Sequence, residues 1–253
     1  MEAFVWHLSD TEPHLDILIN HAAQTVKRPL EFYAHLLAAE AAALPLGAPP
    51  TLLEARREYA GPMAPLLAQA TDSLFPANEQ DAYGQQVDRR PNNSWSLTLE
   101  EINAFEMLEV QLVNSIAPFL LCGQLKPLLL RSPQTRRFII NVSASEGQFE
   151  QPKKSARHPH TNMAKAALNM LTRTSAAEYA QCGIYMNSVD TGCVTDENPH
   201  SMKRRVRERD GFFTPLDVID GAARVYDPVA RSVTEPEQPL WGHFLKDYAP
   251  YPW

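Results

Sequence analysis

Three short runs of the chain are apolar almost without interruption. "LDILIN" (Leu15 to Asn20), "RRFIINVSA" (Arg136 to Ala144) and "GIYMNSVDTG" (Gly183 to Gly192) carry β-branched residues, as central strands covered on both faces do. Between them apolar residues recur at helical spacing. One such stretch, "TLEEINAFEMLEVQLVNSIAPFLLCGQL", starts near Thr98, and Thr98 followed by Glu101 has the form of a capping box. A second follows His160. In "HPHTNMAKAALNML" (His158 to Leu171), Ala164, Ala167, Leu168 and Leu171 form an apolar stripe that Lys165 borders, with Gly183 beyond the last turn. Strand, helix, strand, helix, strand predicts a parallel α/β sheet with right-handed crossovers. Further along, "LDVIDGAARVYDPVA" reads as a helix and "LWGHFLKDYAPYPW" as a last strand with an aromatic, proline-rich tail.

The pattern lapses between Asn20 and Thr98. About 77 residues there hold a helical stretch at 32–44 and a shorter one at 52–60, then a polar, aperiodic segment from Thr71 to Asn93. The expectation is one domain, 1–253, interrupted by an insertion at 21–97. Composition adds limits on function. With 253 residues, 44% hydrophobic and 21% charged, the chain can bury a large core. A net charge of −7 argues against nucleic acid or an anionic membrane as partner. Cys122, Cys182 and Cys193 lie far apart, as reduced thiols rather than a disulfide framework or zinc site. No run approaches the ~20 apolar residues of a membrane span, and the acidic start is not a signal peptide. A cytoplasmic protein is expected.

"LDILINHAA", the asparagine of "QLVNSIAPF", "IINVSASEG", the lysine of "TNMAK" and "MNSVDTGCVT" stand in the order found in short-chain dehydrogenases/reductases. The resemblance covers Leu15 to Thr195 well and the C-terminal region more loosely. It implies a Rossmann-like fold, an NAD(P) cofactor, a catalytic set at Asn114, Ser143, Thr161 and Lys165, and cofactor contacts from Asn20, Ala22, Lys165, Gly192 and Val194. Several of these positions depart from the family pattern. The usual Asn-Asn-Ala-Gly is here Asn20-His21-Ala22-Ala23. The usual serine position holds Ala144, flanked by Ser143 and Ser145. The usual tyrosine, four residues before the lysine, is Thr161, and no tyrosine occurs between Tyr83 and Tyr179. A phenol beside an ammonium can exchange a proton near neutral pH, whereas an aliphatic hydroxyl is too weak an acid.

The family also begins with a strand, a glycine-rich turn and a helix N-terminus that receives the cofactor pyrophosphate. Only fourteen residues precede "LDILIN" here, and the first glycine is Gly47. The resemblance therefore implies a reduced Rossmann-like (doubly wound) sheet, N-terminally truncated and lacking the first βαβ segment, with the long insertion after its first retained strand. Three functions follow. The leading one is a degenerate family member that cannot transfer hydride alone and acts through binding or assembly. The second is an atypical oxidoreductase on a carbonyl or alcohol, its cofactor site completed by another chain. The third is a non-redox, hydrolase-type enzyme drawing on Ser143 or Ser145, His158 or His160, and Asp190 or Asp196. No metal site is expected: His158 and His160, two residues apart, do not share a helix face, and no clear carboxylate completes a site with them and His200 downstream. The apolar strand "LDILIN" is expected at an open sheet edge, covered by the N-terminal helix "EAFVWHL", the insertion, a second copy or a partner chain.

Overall fold

The computed structural model describes residues 1–33, 74–76, 78–151, 154–235 and 237–253. The expected helical stretches at 32–44 and 52–60 lie outside them, except that Phe32 and Tyr33 fall in a 3-10 turn, Leu30–Tyr33. Helix α1 (Glu2–Thr11) precedes strand β1 (Ile17–Asn20). Helix α2 (Ala104–Leu130), strand β2 (Arg137–Ser143), helix α3 (Pro159–Gln181) and strand β3 (Ile184–Asp190) follow. Helices α4 (His200–Asp210) and α5 (Val218–Thr234) lead to strands β4 (Phe244–Lys246) and β5 (Ala249–Tyr251). One sheet of order β1-β2-β3-β4-β5 results, parallel from β1 to β4 and antiparallel at β5. This is an open α/β sheet of the Rossmann type. The expected single last strand is a hairpin, turning at Asp247 and Tyr248, both at positive φ.

Alternation along β2 sends its side chains to two separate cores. Ile139 packs with Ala176, Tyr179, Ile184 and Met186 under α2 and α3. Phe138, Ile140 and Val142 pack with Val189, Leu245, Val225 and Val229 under α5. On the first face α1 adds Val5 to Leu125 and Leu128 of α2. β1 is covered differently on its two faces. Leu18 packs into the α1–α2 core, while Ile17 and Ile19 on the opposite face are 37% and 44% exposed.

α2 departs from the sequence expectation in two respects. The Thr98–Glu101 capping box closes only a 3-10 turn, Leu99–Glu101; the α-helix starts after Asn103, whose side chain accepts from the Glu106 N–H. α2 is also, by length and composition alone, long and apolar enough to cross a bilayer, contrary to the reading that no run comes close. Leu125, Leu128 and Leu129 of that helix are buried in the two cores. Midway, Leu112–Ile116 widens into a π turn, as an inserted residue in a helix does. Asn114 sits in it, accepting from the Gln24 N–H at 2.6 Å and donating to the Gln24 carbonyl at 2.9 Å. That two-point clasp fixes the loop after β1.

The described part of the polar segment is also held in place. Gln80 bridges Gln86 around a turn in which Asp81 accepts from the N–H groups of Tyr83 and Gln85. Beyond it, Asp88 pairs with Arg28 and Arg90.

Candidate functional site

Polarity in the α3-facing core rises toward the C-terminal ends of the strands. Asn20, Asn141 and Ser188 are register partners across β1, β2 and β3. Asn20 donates to Asn141 (2.7 Å), and both Asn141 (2.9 Å) and Ser188 (2.8 Å) donate to the Thr172 hydroxyl of α3. One step further up the same face, Ser143 pairs in register with Asp190, and the Ser143 hydroxyl donates to Asn169 at 2.6 Å. Thr161, Lys165, Asn169 and Thr172 lie four, four and three residues apart, on one helix face. This is the buried face of α3, together with Ala164, Leu168, Ala176 and Tyr179. Lys165 therefore belongs to the buried face rather than its border, and Ala167 of the expected stripe is exposed.

Past the strand ends lies a cleft of two compartments, about 300 and 710 Å³, which share Lys165, Ala144, Thr191 and Val194 in their walls. Lys165 is 7% exposed, and its ammonium donates to the Val142 carbonyl at 2.8 Å. Burial brings its pKa down to about 8, against the opposing pull of Glu146 and Asp190. Thr161, one turn earlier and 3% exposed, lines the smaller compartment, and its hydroxyl has no hydrogen-bond partner among the described residues. Gly147 allows this packing. A Cβ there would stand 2.6 Å from the Lys165 carbonyl carbon and 2.8 Å from the unpartnered amide nitrogen of Asn169.

The opposite wall holds charge. Asp190 accepts from the Gly192 N–H (2.8 Å), the Ser145 N–H (3.2 Å) and Lys246 (3.0 Å). Burial pulls the Lys246 pKa down, but Asp190 outweighs it and leaves the group above its ordinary value. Glu146 also lines this compartment and makes no ion pair or side-chain hydrogen bond among the described residues. Cys193 faces the same space, where burial and the carboxylates of Asp196, Glu146, Asp190 and Glu197 push its thiol up. A thiol so placed stays protonated and is a poor nucleophile. Trp95 closes one end and stacks on His158 at 3.9 Å between ring centroids. His158, at φ 42°, is the residue from which α3 starts, and burial takes its pKa down to about 4.

The residues singled out from sequence divide into groups. Thr161, Lys165, Gly192 and Val194 come together at the cleft, and Ser143 lines its larger compartment. Asn20 is buried in the polar row, and Asn114 is engaged with Gln24, so neither lines the cleft. Ala22 opens on a separate cavity of about 480 Å³. The hydrolase set is not assembled. His158 bonds Asn162, His160 faces Glu106 at 3.4 Å, Asp190 holds Lys246, and Asp196 accepts from Asn198. Sequence reasoning missed Glu146, Lys246 and Trp95. Only the adjacency of Glu146 to the "NVSAS" strand end could have signalled one of them.

A nicotinamide dinucleotide fits this site in part. Lys165, Thr161 and the strand ends fit a small ring bearing hydroxyl or carbonyl oxygens. The pyrophosphate end has no counterpart among the described residues. The segment before β1 is the helix α1, without a glycine-rich turn, and it packs against α2. Half of the dinucleotide is thus left without a cradle among those residues. Among the described residues no group of three or more His, Cys, Asp or Glu is placed to hold a metal.

The arrangement defines an α/β protein with a polar cleft at the carboxyl ends of parallel strands, where such sheets hold ligands. Residues 92–214 match the family model described as "Enoyl-(Acyl carrier protein) reductase". An uncharacterised protein of Acanthamoeba polyphaga mimivirus, R665, is 34% identical over 155 residues, 59% of this chain and 32% of that protein. The match thus spans about a third of the curated relative's length. A short-chain dehydrogenase from Streptomyces avermitilis superposes with a TM-score of 0.51 over 97% of this chain and 66% of its own, at 15% identity. A metagenomic short-chain oxidoreductase solved in complex with NADP gives a TM-score of 0.42 at 16% identity, over 74% of this chain and 52% of that one. The family match covers just under half of the chain, and the likeness to the Streptomyces dehydrogenase is one of fold.

Proposed function

We propose that this chain binds a small carbonyl or alcohol compound in the Lys165–Thr161 compartment, and that it does not by itself carry out NAD(P)-dependent hydride transfer. The observation that carries the reading is the buried, unpartnered Thr161 hydroxyl one helical turn from Lys165, both bordering the same 300 Å³ space. Leaving a buried hydroxyl unpaired costs about 1–3 kcal/mol. A ligand oxygen that accepts from Thr161 and Lys165 removes that cost. A threonine hydroxyl cannot act as the tyrosine phenol does in proton transfer, and none of the described residues cradles a pyrophosphate; both support binding without hydride chemistry.

The test is a thermal-shift titration with cyclohexanone and benzaldehyde beside cyclohexane and toluene, and fluorescence titration with NADH and NADPH. The carbonyl compounds are expected to raise the melting temperature, with Thr161→Val abolishing the rise. Neither nucleotide is expected to bind at low micromolar concentration. A second reading, an oxidoreductase whose cofactor site is completed by another chain, is favoured by the 710 Å³ compartment running from Lys165 to Ile19 at the sheet edge. Low-micromolar NADH or NADPH binding by the isolated chain would falsify the first reading and support oxidoreductase chemistry. We also propose self-association through the exposed apolar stripe of α2, Phe105, Leu108, Leu112, Ile116 and Phe119, whose last two residues share a surface groove with Met170 of α3.

A further inference from the structure

The position of Lys165 allows more than hydrogen bonding. Among the described residues its nitrogen donates to one backbone carbonyl and pairs with no carboxylate, so no salt bridge among them locks it as an ammonium. The loss of charge on burial, to a pKa of about 8, makes a neutral amine available near physiological pH. The side chain borders both compartments, so there is room for a carbon atom beside its nitrogen. Thr161 offers an uncommitted hydroxyl donor in the same space, and Glu146 an uncommitted carboxylate. An amine, a hydrogen-bond donor for the carbonyl oxygen and a proton carrier are the three groups that imine formation needs.

We propose that Lys165 captures aldehydes and ketones covalently as a Schiff base. The inference rests on the carbonyl-binding reading above and adds to it the bond that forms. The lone pair of neutral Lys165 attacks the carbonyl carbon. The C–N bond forms as the carbonyl π bond breaks, and Glu146 carries one proton from the nitrogen to the oxygen held by Thr161, giving the carbinolamine. Glu146 removes a proton from the nitrogen and returns it to the carbinolamine hydroxyl. The C–O bond then breaks, water leaves, and the C=N bond closes. Neither oxidant nor reductant takes part. The same reaction run backward releases the compound, so the site acts as a reversible trap.

Benzaldehyde, with sodium borohydride added to reduce any imine to a stable secondary amine, tests the proposal on the intact chain. Digestion with trypsin reads the site directly, because modified Lys165 is no longer cleaved and the peptide 158–173 stays whole. At pH 7.5 the neutral fraction of an amine of pKa 8 exceeds that of an ordinary lysine by about 10²-fold. Lower intrinsic nucleophilicity returns part of that gain, leaving an expected advantage of about tenfold over the other lysines. The rate at Lys165 should rise with pH through a midpoint near 8 and level off, while labelling elsewhere climbs past pH 10. Lys165→Arg keeps a cation and removes the reactive amine. Its peptide map should lose the adduct at this position alone. Labelling at Lys165 no faster than at surface lysines, or with a midpoint above pH 10, overturns the proposal. If benzaldehyde still raises the melting temperature in that case, the binding reading stands and only the covalent step fails. Absence of both adduct and thermal shift removes both.

Discussion

The two ends of the row Asn20–Asn141–Ser188 show how unevenly this sheet is built. At β2 and β3 both faces are covered, and the buried polar groups bond in successive sets: Asn141 and Ser188 to Thr172, Ser143 to Asn169, and the Ser145 N–H to Asp190. At β1 only the α1–α2 face is filled, and Ile17 and Ile19 look outward. The well-covered region can therefore support an unfavourable feature, a buried lysine beside an unpaired hydroxyl. The β1 margin has packing to spare only on one side. Burial is concentrated around the cleft, and the outer face of β1 is the more exposed margin.

Core truncation should separate the regions most strongly. Ile139→Ala, at a fully buried position in β2, is expected to cost about 2–5 kcal/mol. Ile19→Ala on the outer face of β1 should cost under about 1 kcal/mol. Urea denaturation of both variants checks this; equal losses would show that the β1 face is covered in solution. If a second copy supplies that cover, Ile19→Lys should lower the sedimentation coefficient while the circular dichroism stays unchanged.

The next effect belongs to Lys165. Its folded-state pKa of about 8 lies below the ordinary 10.5. Between those values the unfolded chain holds the proton more tightly, so stability rises with pH across that window, by roughly 3 kcal/mol at most. In Lys165→Met the rise should vanish, which a comparison of urea midpoints from pH 7 to 10.5 would reveal. A variant with the same slope as the wild type would mean that another group titrates there.

Breaking the polar row should cost somewhat less. Asn141→Ala takes from the Asn20 amide its oxygen acceptor and from the Thr172 hydroxyl one of its two donors, for about 1–3 kcal/mol. Asn141→Asp keeps the shape, and is expected to destabilise further by burying a charge among neutral groups. Urea midpoints of the two variants beside the wild type check the order.

The smallest effect concerns His158. Its folded pKa of about 4 lies below the ordinary 6.5, so the unfolded chain binds the proton first and stability falls as pH drops from 6.5 toward 4. The ring is only half-buried, and solvent screening keeps the slope shallow. His158→Gln should flatten it, measured as the pH dependence of the melting temperature.

The strands and the order of the elements could be read in the sequence because continuous apolar runs mark a sheet buried on both faces. The buried polar face of α3 could not be read the same way. Thr161, Lys165, Asn169 and Thr172 turn inward, so hydrophobic periodicity pointed to a neighbouring face. α4, "HSMKRRVRERD", has no buried residue and hence no apolar period to detect; it ends at Gly211 in the left-handed conformation. The last hairpin turns on Asp247 and Tyr248 rather than on glycine, and its turn signal is correspondingly faint. Lys246 meets Asp190, 56 residues away, only because the parallel pairing of β3 and β4 places them opposite each other. That juxtaposition is tertiary and leaves no local trace.

The polar row also answers a problem of addressing. A strand such as β2 is apolar on both faces, so slipping it by one residue exchanges Ile139 for Ile140 at little hydrophobic cost. The same slip turns Asn141 away from Asn20 and Thr172, puts Val142 or Ile140 in its place, and leaves the Asn20 and Asn141 amides without their oxygen acceptors. Each misplaced group then costs on the order of 1–3 kcal/mol, a penalty that falls on wrong registers alone. Asn141 thus works as an index mark, telling otherwise interchangeable strands where to stop sliding, and it fixes at the same stroke how far Ser143 and Asp190 extend into the cleft.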